Sequence, residues 1–330
     1  MLRVAVVGLG NIGKTHANVY SKNKDVELVA LCDRLAERVD PVALQYGVPA
    51  YHDLAEMLRC EEIGAVSVCT AGPENGGHHY EPVMQALDAG KHILVEKPIS
   101  NDIKQARAMV QHARERGLLL GVNLNHRFTP AVARLKKLQD EGALGEVLFV
   151  NMALWIDNPN ESSPWFHLRA LHPHSIDVMR YFGGPIARVQ AFMKKGPGRG
   201  IWSNASVNVQ FASGAVGHLT GSYDASQLHP IERCEVGGSA GRAVIENVYQ
   251  RLEFFPRHSP DKLVLDNPIM GGGMGGFDDT FKHRLNAFVA QVQAGGPLDA
   301  SGEDGLAAQE VIEAAIRSWE QGTIEAVLNG

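Results

Sequence analysis

The hexapeptide Gly8-Leu9-Gly10-Asn11-Ile12-Gly13 restricts the fold of this chain more than any other segment. It follows the apolar run Val4-Ala5-Val6-Val7, which is typical of a buried strand, and leads into a segment of helical periodicity. The GxGxxG spacing alone is a weak signal in a chain with 35 glycines, but the strand-turn-helix context strengthens it. In that context Gly8 permits a tight turn, Gly10 lets the backbone approach a pyrophosphate, and Gly13 packs the helix on the sheet. We therefore predict that the N-terminus of the first helix binds a dinucleotide.

Short apolar runs alternate with amphipathic segments of helical length through the first third of the chain, which is typical of a parallel sheet with helical crossovers. The predicted strands are Val4–Gly8, Glu27–Asp33, Ala65–Thr70, His92–Glu96 and Leu118–Asn123. The predicted helices are Ile12–Ser21, Ala36–Tyr46, Leu54–Arg59, Tyr80–Ala89 and Lys104–Arg116, the last ended by Gly117. These elements predict an α/β Rossmann domain over residues 1–124.

The pattern changes after about Arg127, where long β-type runs replace the alternation. The predicted strands there are Glu146–Ile156, Ala187–Lys194, Ser203–Ala212, Ala215–Tyr223, Glu232–Gly237 and Ala243–Glu246, and the predicted helices are Pro130–Glu141, Asp278–Ala294 and Glu303–Glu320. Turn signals at Ser213-Gly214 and Gly237-Gly238 favour antiparallel hairpins. We predict that residues 125–330 form an α+β domain on a large open, mainly antiparallel sheet, with a glycine-rich loop at Gly271–Gly276.

Charge and composition restrict the partner. The net charge is −6 and the pI is about 6.2, without a basic run, which argues against nucleic acid or an anionic membrane surface. No segment approaches the ~18 consecutive apolar residues of a membrane span, and the N-terminus lacks the features of a signal peptide. The four cysteines show no CxxC pairing and no metal-ligand spacing, so we expect buried free thiols and no metal. A cytoplasmic protein that acts on a small molecule is the expectation.

Asp33 ends the second predicted strand, at the distance from the glycine motif where a carboxylate accepts hydrogen bonds from the adenosine ribose. Its charge would repel the 2′-phosphate of NADP. Arg34, the next residue, can instead pair with that phosphate or stack on adenine. The sequence favours NAD and leaves NADP open.

The segment Glu96-Lys97-Pro98 ends the fourth predicted strand at the carboxyl edge of the sheet, where open α/β folds bind their ligands. A lysine beside a positively charged nicotinamide ring has a lowered pKa, because of like-charge repulsion and partial desolvation, and that suits catalysis. The alternative is a solvated lysine paired with Glu96.

The chain resembles the Gfo/Idh/MocA family of sugar and polyol oxidoreductases over nearly its whole length. The motifs that carry the resemblance are Val7-Gly8-Leu9-Gly10-Asn11-Ile12-Gly13, Ala89-Gly90-Lys91-His92-Ile93-Leu94-Val95-Glu96-Lys97-Pro98, Asn125-His126-Arg127-Phe128-Thr129-Pro130 and His174-Ser175-Ile176-Asp177. The resemblance implies that Lys97 is the active-site lysine and that Thr70 and Glu96 line the cofactor cleft. It also implies that the C-terminal sheet carries substrate contacts and the interface of a homodimer or homotetramer.

His174 matches the catalytic histidine of the family. Asp177 lies one helical turn further on, where it can share a face with His174 and hold its ring. Pro173 favours a helix that starts there, which leaves His172 at the cap. Ala170 stands where many relatives carry an aspartate that contacts the sugar, so the identity of the substrate stays open.

The remaining candidates belong to two groups. The predicted cofactor-binding residues are Gly8, Gly10, Asn11, Ile12, Gly13, Asp33, Arg34, Thr70, His79, Glu96 and Lys97. The predicted substrate-binding residues are Lys97, Arg127, Trp155, Asp157, Trp165, Arg169 and His174, with core packing as the alternative for both tryptophans.

The predicted activity is reversible hydride transfer between nicotinamide and a secondary alcohol of a sugar or cyclitol. His174 would accept the hydroxyl proton and Lys97 would stabilise the developing alkoxide. One alternative is an NAD-assisted glycosidase or lyase of the same family, which would turn over without net NADH production. Another is a non-catalytic dinucleotide-binding regulator, against which the retention of Lys97 and His174 argues.

Overall fold

The computed structural model describes residues 1–72, 76–228, 230–246, 251–266 and 277–328, and the chain forms two compact units. Unit 1 comprises Met1–Leu124 and Phe281–Leu306, whereas unit 2 comprises Asn125–Thr280 and Ala307–Gly330. The return of Phe281–Leu306 to unit 1 differs from the division into two contiguous stretches expected from the sequence. The predicted loop Gly271–Gly276 lies outside the described residues.

Unit 1 is built on a parallel sheet with helical crossovers. Its elements are β1 (Leu2–Val7), α1 (Asn11–Ser21), β2 (Val26–Cys32), α2 (Ala36–Tyr46), β3 (Ala50–Tyr51), α3 (Leu54–Cys60), β4 (Ala65–Val68), α4 (Tyr80–Asp88), β5 (His92–Val95), α5 (Ile103–Glu115) and β6 (Leu120–Val122). The strand order β3-β2-β1-β4-β5-β6, with every pair parallel, confirms the predicted Rossmann fold. Gly117 has φ of +64° just beyond α5, as its predicted role at the helix end requires.

Unit 2 contains a second sheet and the helices that cover it. Its first half comprises a 3-10 helix (Asn125–Phe128), α6 (Pro130–Asp140), β7 (Val147–Trp155), α7 (Phe166–Leu171), α8 (Pro173–Gly183), β8 (Ile186–Lys194), β9 (Asn204–Phe211) and β10 (Val216–Ser222). The chain continues with β11 (Glu232–Gly238), β12 (Gly241–Glu246), β13 (Arg251–Pro256) and β14 (Leu263–Asp266). It then forms α9 (Phe277–Ala294), most of which belongs to unit 1, followed by α10 (Gly302–Gln321) and β15 (Glu325–Ala326). Among the described residues the strand order is β14-β13-β12-β11-β7-β10-β9-β8-β15.

The second sheet is mainly antiparallel, as predicted, but β7 and β10 pair in parallel at its centre. The predicted turn at Gly237-Gly238 is wrong, because both glycines lie inside β11 and the chain turns at the next two residues. Close packing explains why both positions are glycine. A Cβ on Gly237 would overlap the ring of Phe149, and one on Gly238 would overlap the carbonyl oxygen of Leu144.

The return segment completes the core of unit 1. Phe281, Leu285 and Phe288 of α9 are buried against the side chains of β1 and α1. Arg284, on the same helix, is fully buried and donates hydrogen bonds to the carbonyl oxygens of Val122 and Ala300. Those bonds tie α9 to the β6 edge of the first sheet.

Three of the four cysteines are buried, as expected, whereas Cys60 is exposed. No helix in the described part of the chain has the length and apolarity needed to cross a membrane.

Candidate active site

The glycine motif forms the turn between β1 and α1, where the strand order of the first sheet reverses. Gly8 has φ of +88°, and a Cβ on it would lie 2.8 Å from the backbone of Cys69, so only glycine fits there. A Cβ on Gly13 would overlap the carbonyl oxygen of Gly8. Gly10 caps α1, and no described atom lies within 4 Å of its Cβ position. The helix N-terminus is therefore open, and its N–H groups fit a pyrophosphate.

Asp33 follows β2 and supports the same turn. Its Oδ2 accepts a hydrogen bond from the backbone N of Leu9 at 2.7 Å, and its Oδ1 accepts one from the backbone N of Leu35 at 3.0 Å. Each carboxylate oxygen has a second lone pair, so Asp33 retains the capacity to accept ribose hydroxyl groups. Arg34 is exposed beside it.

The carboxylate of Glu96 is buried and bound from two sides. His16 Nε2 lies 3.0 Å from Oε1, and the amide of Asn123 donates to the same oxygen. On the other side of its ring, His16 Nδ1 lies 2.7 Å from Ser67 Oγ. Burial alone would raise the pKa of Glu96, but the two hydrogen bonds and the charge of Lys97 together bring it below its usual value. Burial lowers the pKa of Lys97, and the Glu96 carboxylate opposes that effect.

Thr70 and His79 lie on the segment between β4 and α4. Thr70 Oγ1 donates to the carbonyl oxygen of His78 at 2.6 Å, which closes the turn. His79 occupies the N-cap position of α4, but its ring does not cap the helix, because its Nδ1 donates to the carbonyl oxygen of Pro98 at 2.8 Å. Burial lowers the pKa of His79.

In unit 2, Arg127 and Asp177 form a buried ion pair between the 3-10 helix and α8. The guanidinium donates to Asp177 Oδ2 through Nε at 2.8 Å and to Oδ1 through Nη2. It also lies 4.8 Å from the ring centroid of Tyr181. Arg127 was predicted as a substrate ligand and Asp177 as the partner of His174. The structure brings Arg127 and Asp177 to each other, and their predicted roles remain predictions.

His174 lies in the first turn of α8 and stacks on His126. The two ring centroids are 4.0 Å apart and the ring planes differ by 5°. His126 Nδ1 in turn lies 3.2 Å from Oε1 of Glu232 on β11, and all three side chains are buried. Two neighbouring residues of the 3-10 helix, His126 and Arg127, therefore contact two residues one turn apart on α8. His126 stacks on His174, and Arg127 pairs with Asp177.

His172 lies at the N-cap of α8, as Pro173 predicted, and is fully buried. Its Nε2 lies 3.0 Å from Nε2 of His167, and its Nδ1 lies 3.1 Å from Ser175 Oγ. Burial brings the pKa of His172 well below its usual value and that of His167 to about 3. Both rings are therefore neutral at physiological pH.

Two of the remaining predicted ligands, Arg169 and Trp165, have side-chain partners within unit 2. The guanidinium of Arg169 donates two hydrogen bonds to the carboxylate of Glu313, from Nε to Oε1 at 2.8 Å and from Nη2 to Oε2 at 3.0 Å. The ring of Trp165 stacks on that of Trp202 with 6.1 Å between the ring centroids, and both side chains pack against the core of unit 2.

Trp155 ends β7, and strand alternation assigns it to the face opposite the buried Val150, Met152 and Leu154. Asp157 is exposed in the following loop.

Sequence reasoning missed several polar residues of these clusters, namely His16, Ser67, Asn123, His126 and Glu232. A signal existed for His16, since it lies three residues after Gly13 and so on the same face of α1. None existed for Glu232, because its partner His126 is 106 residues away.

Two family models match the chain. The model described as "Oxidoreductase family, NAD-binding Rossmann fold" matches residues 2–124, and the "GFO/IDH/MocA C-terminal domain" matches residues 132–244.

Similar proteins cover almost the whole chain. Inositol 2-dehydrogenase of Rhizobium meliloti is 30% identical over 96% of this chain and 96% of its own length, and D-glucoside 3-dehydrogenase of Escherichia coli is 27% identical over 98% and 96%. Levoglucosan dehydrogenase in complex with NADH and levoglucosan has the same fold, with a TM-score of 0.90 at 23% identity over both full chains. A putative myo-inositol dehydrogenase from Sinorhizobium meliloti has a TM-score of 0.84 at 27% identity, over 99% of this chain and 100% of that one.

Proposed function

The chain belongs to the Gfo/Idh/MocA oxidoreductase family, and from that premise we propose that Lys97 and His174 carry out its reaction, the NAD-dependent oxidation of a secondary alcohol on a sugar or cyclitol. The observation that carries the proposal is the position of Lys97, which follows β5 at the carboxyl edge of the sheet with its pKa lowered by burial. An ammonium group tuned in this way can both donate a hydrogen bond and share a proton.

The residues that hold NAD lie in unit 1. The N-terminus of α1 receives the pyrophosphate and Asp33 receives the adenosine ribose, since the turn is open at Gly10 and the Asp33 oxygens keep free lone pairs. When bound, NAD supplies the hydride acceptor. Glu96, anchored by His16 and Asn123, fixes the backbone next to Lys97.

The proton of the reacting hydroxyl passes to His174 in the oxidising direction. Imidazole is suited to this because it titrates near neutrality. The Lys97 ammonium donates to the same oxygen and stabilises the negative charge that develops there. His172 is a poor alternative base, because its ring is buried against His167 with both nitrogens engaged.

The substrate class follows from the relatives, which are named as dehydrogenases of inositol, D-glucoside and D-apiose. Ala170 brings no carboxylate to the site, so the contacts with the ring hydroxyls differ from those of relatives that have an aspartate there. From the resemblance to the family we propose a homodimer or homotetramer formed through the second sheet. The three buried thiols suit a reducing, cytoplasmic setting.

The test is a spectrophotometric screen of sugars, cyclitols and glycosides with NAD, in which NADH is followed by absorbance and product by chromatography. We expect NADH to form with at least one polyol. Lys97→Ala and His174→Asn should still bind NAD in a fluorescence titration but lose about 10²- to 10⁴-fold in kcat. Unchanged kcat in either variant would contradict the assignment, and product without NADH would identify a glycosidase or lyase.

A further inference from the structure

His174 has a neighbour, His126, that was not predicted as a site residue. The ring of His126 lies parallel to that of His174 with 4.0 Å between centroids, so each ring covers one face of the other. Two positive charges at that separation would repel each other, so a charge near one ring also affects the other.

Glu232 supplies a negative charge beside His126. Its Oε1 lies 3.2 Å from His126 Nδ1, and the side chain is 4% exposed. No described residue donates a hydrogen bond to its Oε2, which borders a small cavity lined by His126, Met152 and Cys234. A buried carboxylate with a single ring as its partner stabilises positive charge on that ring and on the ring stacked upon it.

Among the described residues, no lysine or arginine forms an ion pair with Glu232, whose partner is His126. Asp177 on α8 is balanced by Arg127 of the 3-10 helix. Cys234 on β11 is neutral, because burial raises the pKa of its thiol. On α7, Ala170 is buried and brings no charge.

We propose that Glu232, acting through His126, is the positioning carboxylate that orients His174 and stabilises its protonated form. This inference rests on the proposed function, in which His174 takes the hydroxyl proton. Glu232 accepts from His126 Nδ1–H, which fixes the tautomer of that ring and holds it parallel to His174. When His174 becomes imidazolium, Glu232 lies one ring away and offsets the charge.

The first test is the pH dependence of oxidation in Glu232→Gln, which keeps the shape of the side chain and removes its charge. Oxidation needs neutral His174, so its acid limb reports the pKa of that ring. Loss of the carboxylate should move the limb of kcat/KM to lower pH by about one unit, with kcat reduced about tenfold and NAD affinity unchanged. Glu235→Gln is the matched control, because Glu235 lies on the same strand but pairs with Arg242, and it should leave the limb in place.

His126→Phe keeps a ring against His174 but breaks the link to Glu232. It should shift the limb in the same direction, and combining it with Glu232→Gln should add little, because the two residues act as one unit. Circular dichroism and NAD binding confirm that each variant is folded. A limb unchanged in both folded variants would overturn the inference.

An NMR titration of ¹³C-labelled histidine, with the His174 signal assigned through His174→Asn, measures the same shift without turnover. If the wild-type protein oxidises none of the polyols, the proposed function fails, while this titration still decides the role of Glu232. A wild-type His174 titration in Glu232→Gln would overturn that role.

Discussion

At the scale of single residues, we expect Asp33 to have two tasks. One of its oxygens holds the backbone of Leu9 in the pyrophosphate turn, and its charge faces the position expected for the adenosine ribose. Substitutions at this position therefore affect cofactor choice and the geometry of the turn at the same time.

We expect Asp33→Asn to separate these tasks. The amide oxygen still accepts from Leu9, whereas the charge that repels a 2′-phosphate is gone, so NADP should bind about tenfold more tightly, or ~1.4 kcal/mol. NAD should bind somewhat more weakly, because the amide offers one acceptor oxygen in place of two. Asp33→Ala should weaken NAD binding further, because the turn loses its support. Fluorescence titration of both cofactors measures this. Arg34→Gln in the Asp33→Asn background is the control and should reverse the gain. Tighter binding of NADP than of NAD by the unmodified protein would refute the role of Asp33.

At the scale of elements, the junction of α7 and α8 contains two neutral imidazoles, His167 and His172. Burial lowers the pKa of both, to about 3 for His167, while unfolded imidazole titrates near 6.5. Their contribution to stability is complete above that unfolded value and is lost as pH falls from about 6.5 towards 3, because only the unfolded chain then takes up the protons.

We therefore expect the free energy of unfolding to fall by about 1.4 kcal/mol per pH unit for each of the two histidines below pH 6.5. Urea unfolding at pH 7.5 and pH 5.5 measures the difference. His172→Asn should remove one proton from this dependence. An identical dependence in His172→Asn and the unmodified protein would show that the ring is charged when folded.

Local patterns predicted most elements, because helix and strand periodicities and the glycines that end them act over a few residues. Ala36–Tyr46 has the predicted bounds, and Pro173 begins α8 as expected. Five described elements of unit 2 were not predicted, namely the 3-10 helix, α7, β13, β14 and β15. They are short, and the sequence of β13 ends in a proline that disfavours a strand.

The pairings between the predicted elements were beyond sequence analysis. Asp177 has a helical neighbour in His174, but its bidentate ion pair is with Arg127, 50 residues earlier in the chain. His16 and Glu96 are 80 residues apart, and β7 lies beside β10 in parallel. Such contacts depend on which elements meet in space, and a single sequence does not encode that in any local pattern.

At the scale of the whole molecule, unit 1 is discontinuous in the chain. Phe281, Leu285, Phe288 and Val289 of α9 are at most 5% exposed within its core. At about 1.5–3 kcal/mol for each side chain, their burial contributes roughly 6–12 kcal/mol, comparable to the total stability of a domain at ~5–15 kcal/mol.

We expect a fragment of residues 1–124 to lack a cooperative urea transition and to lose NAD binding, because that core would be open to water. The same fragment joined by a flexible linker to residues 277–306 should regain both. Phe288→Asp in the joined fragment is the control and should abolish the gain. Circular dichroism and NAD fluorescence are the measurements, and cooperative unfolding of the short fragment would contradict the expectation.

Because unit 1 is discontinuous in the chain, its two parts are synthesised at different times. The ribosome completes the six strands of the first sheet by residue 122, but the helix that covers one face of this sheet ends at residue 294. At about 5–20 residues per second, that helix follows the last strand by roughly 10–35 s. During this interval we expect the nascent sheet to expose part of its apolar surface, to which chaperones that recognise such surfaces could bind while translation continues.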